Sequence, residues 1–485
     1  MRRLLLALLT SAVVVIGAIG VSGAQDDLKP HAVPRATCGP GDKPETDLQG
    51  RVPQSDYDSG RVADGYTCNT RQVSHHGSTG GFKVQRYVDD AGHVCAYYDS
   101  TLMFPKDVLM NAVTGLGVLV LDMSDPKHPV QTDSLETPAM LTPHESVLLN
   151  QRRGILAAET GNATTYPAVL DLYDVKADCR HPVLLSSAPT GLGAQGHESG
   201  FSPDGKTFYI TGNSGQTFQA MDISDPTNPT QVFFKSGVIW HGLRFSGDGR
   251  TMYVADDGQF GGTSGNVLTG QGLKIVDVSQ IQDRVADPKI RTLSTLTWRY
   301  VSIPQAAEPF RRDGHHYLLE TDEFAGFNVG QMMDPSSAKV GAARIINVDN
   351  PRRPFVVSDL RLQVHQPANQ RGDEQNDPGA RIPVQGYAAH YCSVPTRRSP
   401  NLAGCSMILS GLRVFDIRDV EHPREVAYFN QPATPGTDPS NPLADGAWAM
   451  SQPAWDVANH SIWYTDGNAG FFDVRLTHGV GKLLD

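Results

Sequence analysis

The chain is punctuated by short blocks of apolar, largely β-branched residues that run into an Asp or Asn and continue with another aliphatic, as in Val118-Leu-Val-Leu-Asp122-Met and Leu273-Lys-Ile-Val-Asp277-Val. The polar anchors are Asp122, Asp174, Asp222, Asp277, Asn347, Asp416 and Asp473, spaced by 52, 48, 55, 70, 69 and 57 residues. Such a block predicts a buried strand, and the acid or amide at its end predicts a stop, because its side chain can accept from backbone N–H groups two residues on. In three repeats Asp-Pro or Asn-Pro follows, at Pro126, Pro226 and Pro351, and a further proline stands seven residues past the anchor at Pro129, Pro229, Pro354 and Pro423. Proline lacks the ladder donor and fixes φ, so it predicts a turn into an edge strand such as Gln231–Phe234 or Arg424–Tyr428.

A second phrase recurs between anchors: Phe201-Ser-Pro-Asp-Gly205 before Thr207–Ile210, and Phe245-Ser-Gly-Asp-Gly249 before Thr251–Val254, with degenerate copies at Arg311–Gly314 and Trp455–Asn459. Asp-Gly between alternating apolar segments predicts a hairpin. Each repeat therefore reads as four antiparallel strands. Seven such units of this period predict an all-β chain, a seven-bladed β-propeller.

The phrases Gly117-Val-Leu-Val-Leu-Asp122-Met-Ser-Asp-Pro, Ala220-Met-Asp-Ile-Ser-Asp-Pro226, Gly272-Leu-Lys-Ile-Val-Asp277-Val-Ser and Gly411-Leu-Arg-Val-Phe-Asp416-Ile resemble the LVIVD repeat of secreted bacterial and archaeal proteins, over roughly residues 80 to 478. The resemblance implies an extracellular seven-bladed propeller. It carries no shared catalytic motif, so function must come from a site.

Residues 1–24 read as an export signal: Arg2-Arg3, an apolar run from Leu4, and small residues ending at Ala24. Residues 25–65 form an N-terminal extension expected to supply a ring-closing strand near Leu48–Pro53, and 66–485 form the propeller. After cleavage the chain is expected to be a monomer outside the cytoplasm with no stable membrane insertion. The six cysteines are even in number and contain no C-x-x-C pair, which predicts disulfides. Cys392 with Cys405 is the first choice, then Cys68 with Cys95 and Cys38 with Cys179. A formal charge of −11, from 41 basic and 52 acidic residues, argues against nucleic acid and anionic membranes as partners. Arg371-Gly-Asp373 and the sequon Asn162-Ala-Thr164 are short enough to arise by chance in polar loops.

Candidate chemistry lies where innermost strands begin. His144-Glu145, His197-Glu198, His241-Gly242 and His390-Tyr391 open such strands, with His75-His76 as the first-blade counterpart, while Ala306 and Ser451 take the position in the fifth and seventh blades. Antiparallel topology sends the end of each second strand to the same face, which adds Glu159, Asp256, Asp257, Glu320, Asp322 and Asp466. Three imidazoles with an open position suit Zn²⁺, Cu²⁺ or Fe²⁺, and carboxylates alone suit Ca²⁺. The bland reading is that rim histidines satisfy strand-end backbone groups. Two functions follow: a binding module for an extracellular protein, glycan or small molecule, or a metal-dependent oxidase or hydrolase with His144, His197, His241 and His390 as ligands and Glu145 or Glu198 as base.

Overall fold

The computed structural model of the chain describes residues 23–26, 29, 31–100, 116–161, 168–190, 196–212, 216–260, 268–323, 340–369, 372–380, 386–433 and 446–485. The export signal up to residue 22, the sequon and Arg371 fall outside them. Seven antiparallel four-stranded sheets follow one another around a ring. Their first and innermost strands are Val84–Val88, Leu148–Asn150, Ser199–Phe201, Trp240–Phe245, Ile303–Arg312, Tyr391–Ser393 and Ala454–Asp456. The core lies between neighbouring sheets, so clusters such as Tyr209, Phe218, Trp240, Phe245 and Val254 join residues of adjacent blades.

The repeating phrase does what its chemistry predicts. Asp122, Asp174, Asp222, Asp277, Asn347 and Asp416 each end a third strand, and their side-chain oxygens accept from the backbone N–H two residues on at 2.7–3.1 Å. Asp473 differs. It lies inside the strand Gly470–Leu476, buried, and does not end it. In every blade the third and fourth strands are joined across a bulge, for instance between Ala220 and Met221, which sharpens the twist that lets sheets stack radially. The Asp-Gly turns place Gly205 at φ 70° and Gly249 at φ 72°, a left-handed conformation that a side chain would strain.

Ring closure comes from the N-terminal side but not from the expected segment. Thr70–His76 pairs antiparallel with Gly470–Leu476 as the outer strand of blade seven. Leu48–Pro53 instead packs over the junction of blades five and six: Gln49 N–H donates to Gln363 just past blade five, and Ser410 of blade six donates to Gly50 O. There His75 packs on Phe472 of the neighbouring strand, and His76 meets Tyr98 of blade one. That placement removes His75 and His76 from the channel, so they are not the first-blade counterpart. Tyr66–Cys68 adds a fifth strand to blade six, and Gly23–Asp26 lies parallel to the outer strand of blade four.

Three disulfides form: Cys38–Cys68, Cys95–Cys179 and Cys392–Cys405. The third is the predicted hairpin staple. The other two pairings are exchanged relative to expectation, because Cys68 sits on blade six beside the extension while Cys95 faces blade two across the inter-blade core. Among the described residues no helix is long and apolar enough to cross a membrane.

Candidate metal centre

Four histidines from four blades meet at one end of the central channel. His241 belongs to the first strand of blade four, and His144, His197 and His390 lie just ahead of the first strands of blades two, three and six. His144 has φ 49°, and its ring stacks edge-on against His197 with centroids 4.3 Å apart. A positive φ in a non-glycine residue is held only where surroundings over-determine it.

Glu145 is the hub. Its Oε2 lies 3.1 Å from His241 Nε2 and 3.3 Å from His197 Nε2, and its Oε1 lies 3.3 Å from His390 Nε2. His197 Nε2 in turn is 3.3 Å from His144 Nε2. Glu323 closes the far side, 3.1 Å from His390 Nε2 and 3.8 Å from His241 Nε2.

The opposite ring nitrogens are committed to the backbone. His241 Nδ1–H donates to Pro304 O at 2.9 Å and His390 Nδ1–H donates to Met450 O at 2.6 Å. A carbonyl can only accept, so the tautomer is fixed and each Nε2 is turned inward as a potential ligand, the arrangement that orients metal-binding imidazoles. His365 shows the contrast: its Nε2 donates to Tyr387 O and its Nδ1 accepts from Leu362 N–H, which leaves no ring nitrogen for anything else.

Electrostatics agree with a site built for positive charge. Burial would raise the Glu145 carboxyl, but His241 and His197 outweigh it and hold it well below the ordinary range. Burial disfavours charge on His241 and His390, yet Asp257 and Glu145 push the first up to about 10, and Glu145 and Glu323 push the second up to about 9. His144, pressed by burial and by His197, falls to about 3. The site is asymmetric in access: the side chain of His197 is 22% exposed, that of Glu145 only 2%.

The other expected carboxylates go elsewhere. Glu198 is one layer deeper, pairing with Lys83 at 2.7 Å and Arg244 at 3.1 Å. Asp256 pairs with Lys274, while Glu320 and Asp322 both hold Arg344. Asp466 braces a loop by accepting from Trp448 N–H at 2.6 Å. Glu159, pushed well up by burial, lies against Gly196. Glu323, one residue past Asp322, was missed. Residues alternate sides along a strand, so in Asp256-Asp257 and Asp322-Glu323 the first acid turns into the sheet and the second toward His241. That doubled acid at the strand end was the readable signal.

Below the histidines the channel is plugged. Lys83 Nζ sits 3.7 Å over the Tyr391 ring, and burial lowers its pKa to about 8. Beyond this layer a cavity of about 500 Å³, lined by Arg86, Arg244, Glu308, Gln452 and Trp455 among others, opens at the opposite mouth.

No family model matches the chain, and no curated protein matches it. Among solved structures it is similar to the Swd1 (Cps50) β-propeller domain of Myceliophteria thermophila, with 9% identity, 84% of this chain and 98% of that one covered, and a TM-score of 0.50. Hydrazine synthase of Kuenenia stuttgartiensis covers 84% of this chain and 97% of its own at 11% identity and a TM-score of 0.49. The periplasmic gluconolactonase PpgL of Pseudomonas aeruginosa covers 74% and 87% at 13% identity and a TM-score of 0.47. At these identities the likeness is one of fold: the chain is a seven-bladed β-propeller.

Proposed function

We propose that this chain is an exported propeller of the LVIVD-repeat type that works as a metal-dependent enzyme, an oxidase or hydrolase, at the histidine end of its channel. The observation that carries the reading is the convergence of three imidazole Nε2 atoms on Glu145, with a fourth, that of His144, against His197, and two of the first three with the opposite nitrogen clamped by a backbone carbonyl. Nitrogen and carboxylate donors in that proportion suit Zn²⁺, Cu²⁺ or Fe²⁺ better than Ca²⁺. The His144–His197 side is the more open one, with the His197 side chain 22% exposed, so a substrate would approach from there. Export is supported by the signal-like leader and by three disulfides, which persist in oxidising compartments.

The test is elemental analysis of the protein after loading with Zn²⁺, Cu²⁺ or Fe²⁺ and desalting, beside a His241→Ala, His390→Ala double variant. Retention by the first and loss by the second is the expected outcome. A wild-type chain that keeps no metal would return the protein to a non-enzymatic binding module.

A further inference from the structure

The six donors do not form one shell. Five of them divide into two triads, His144–Glu145–His197 and Glu145–Glu323–His390, each with its ligand atoms within 4.8 Å of one another, and the triads share Glu145 alone. The two carboxylate oxygens are split between them: Oε2 faces His197, and Oε1 faces His390. His241 Nε2 stands between the triads, 3.1 Å from Glu145 Oε2 and 3.8 Å from Glu323 Oε1.

We propose that the channel mouth holds a pair of divalent transition-metal ions bridged by Glu145, one on His144 and His197, the other on His390 and Glu323, with His241 completing the shell between them. The inference rests on the metal reading above and adds the number of ions and the role of Glu145. Three arguments carry it. First, a carboxylate that presents one oxygen to each of two donor sets is the natural bridge between ions about 3.5–4 Å apart, the spacing of two-metal sites. Second, a single ion at donor distances of about 2.0–2.2 Å could take up the donors of one triad but not of both. Third, Glu145 and Glu323 are buried, and burying two carboxylates is costly unless cations compensate them. Aromatic rings wall the pair in: Phe82 packs on His144 and His390 with centroids 4.7 and 5.2 Å away, and Tyr391 meets His390 edge-on at 4.8 Å.

The experiment is stoichiometric. The full chain is stripped with chelator, titrated with Zn²⁺ by calorimetry and assayed for bound metal after gel filtration, and the series is repeated with His144→Ala, His390→Ala and Glu145→Gln. Wild type is expected to bind two equivalents, each histidine variant one, and Glu145→Gln no more than one. Loading with Cu²⁺ gives a measurement that needs no variant: two equivalents should show the half-field EPR transition of a coupled pair, absent at substoichiometric metal. One equivalent in the wild type, with uncoupled Cu²⁺ signals, would overturn the pair while leaving a mononuclear centre. No bound metal at all would overturn this inference and the proposed function together.

Discussion

Gly242 is where fold and site are most tightly joined. It follows His241 in the first strand of blade four, and a Cβ there would stand 2.1 Å from Gln305 O of blade five and 2.1 Å from Glu198 Oε2. A flexible side-chain tip could swing away, but a backbone carbonyl cannot. Relief requires blades four and five to part by about 1 Å, against interiors packed as densely as organic crystals. Overpacking of this kind costs about 1–3 kcal/mol, and the backbone contact places Gly242→Ala at about 3 kcal/mol. The same parting draws His241 from Glu145, so metal affinity should fall in parallel. Gly247, five residues on, has nothing within 4 Å of an added methyl, and Gly247→Ala is the matched control. Urea unfolding followed by tryptophan fluorescence reads the stability, and zinc calorimetry reads the site. A Gly242→Ala midpoint equal to that of Gly247→Ala would refute the reasoning, because it would mean that the blades slide freely where the channel residues meet.

Three further outcomes are expected. Peptide mapping under non-reducing conditions should recover Cys38–Cys68 and Cys95–Cys179 links and no alkylatable thiol; on chain entropy, removing the bridge that spans 84 residues should cost about 4.5 kcal/mol, against about 3 kcal/mol for the one that spans 13, and a reversed order would count against that account. Deleting the chain through residue 76 should lower the melting temperature sharply by stripping the outer strand of blade seven, whereas deletion through residue 32 should change it little; equal melting temperatures would show that Thr70–His76 does not hold the ring shut. Zinc affinity should keep climbing as pH rises from 6 to 9, because the protons that zinc must displace sit on His241 and His390, whose pKa values of about 10 and 9 lie at or beyond the top of that window; a plateau above pH 7, as for ordinary imidazoles, would contradict those shifts.

What could be read from the chain divides by range. Strand, stop and hairpin are local, so the apolar blocks, the Asp anchors and the Asp-Gly turns announced the blades, and the period announced the ring. His144, His197, His241 and His390 were found because equivalent positions in successive blades must converge on an axis. Partners across blades were beyond reach. Cys95 meets Cys179 through an inter-blade core, and Glu198 turns down to Lys83 and Arg244 because two buried cations outbid the channel mouth for its charge. Asp473 imitates the anchor phrase but sits mid-strand, since only the pairing with Thr70–His76 shows how far that strand runs.

The strand borrowed from the N-terminal side has a consequence for how the molecule comes into being. Thr70 finds its partner Leu476 only when nearly the entire polypeptide has emerged, and joining segments that far apart carries a loop-closure cost of about 5 kcal/mol by the (3/2)RT ln n rule. Until then blade seven lacks its outer strand and both ends of the array are raw edges. The final zipping therefore commits all seven sheets at once: the closed ring has no terminal repeat from which to fray, unlike an open solenoid. A protease or a chaperone meeting the nascent chain has until that moment to act, and afterwards little to grip.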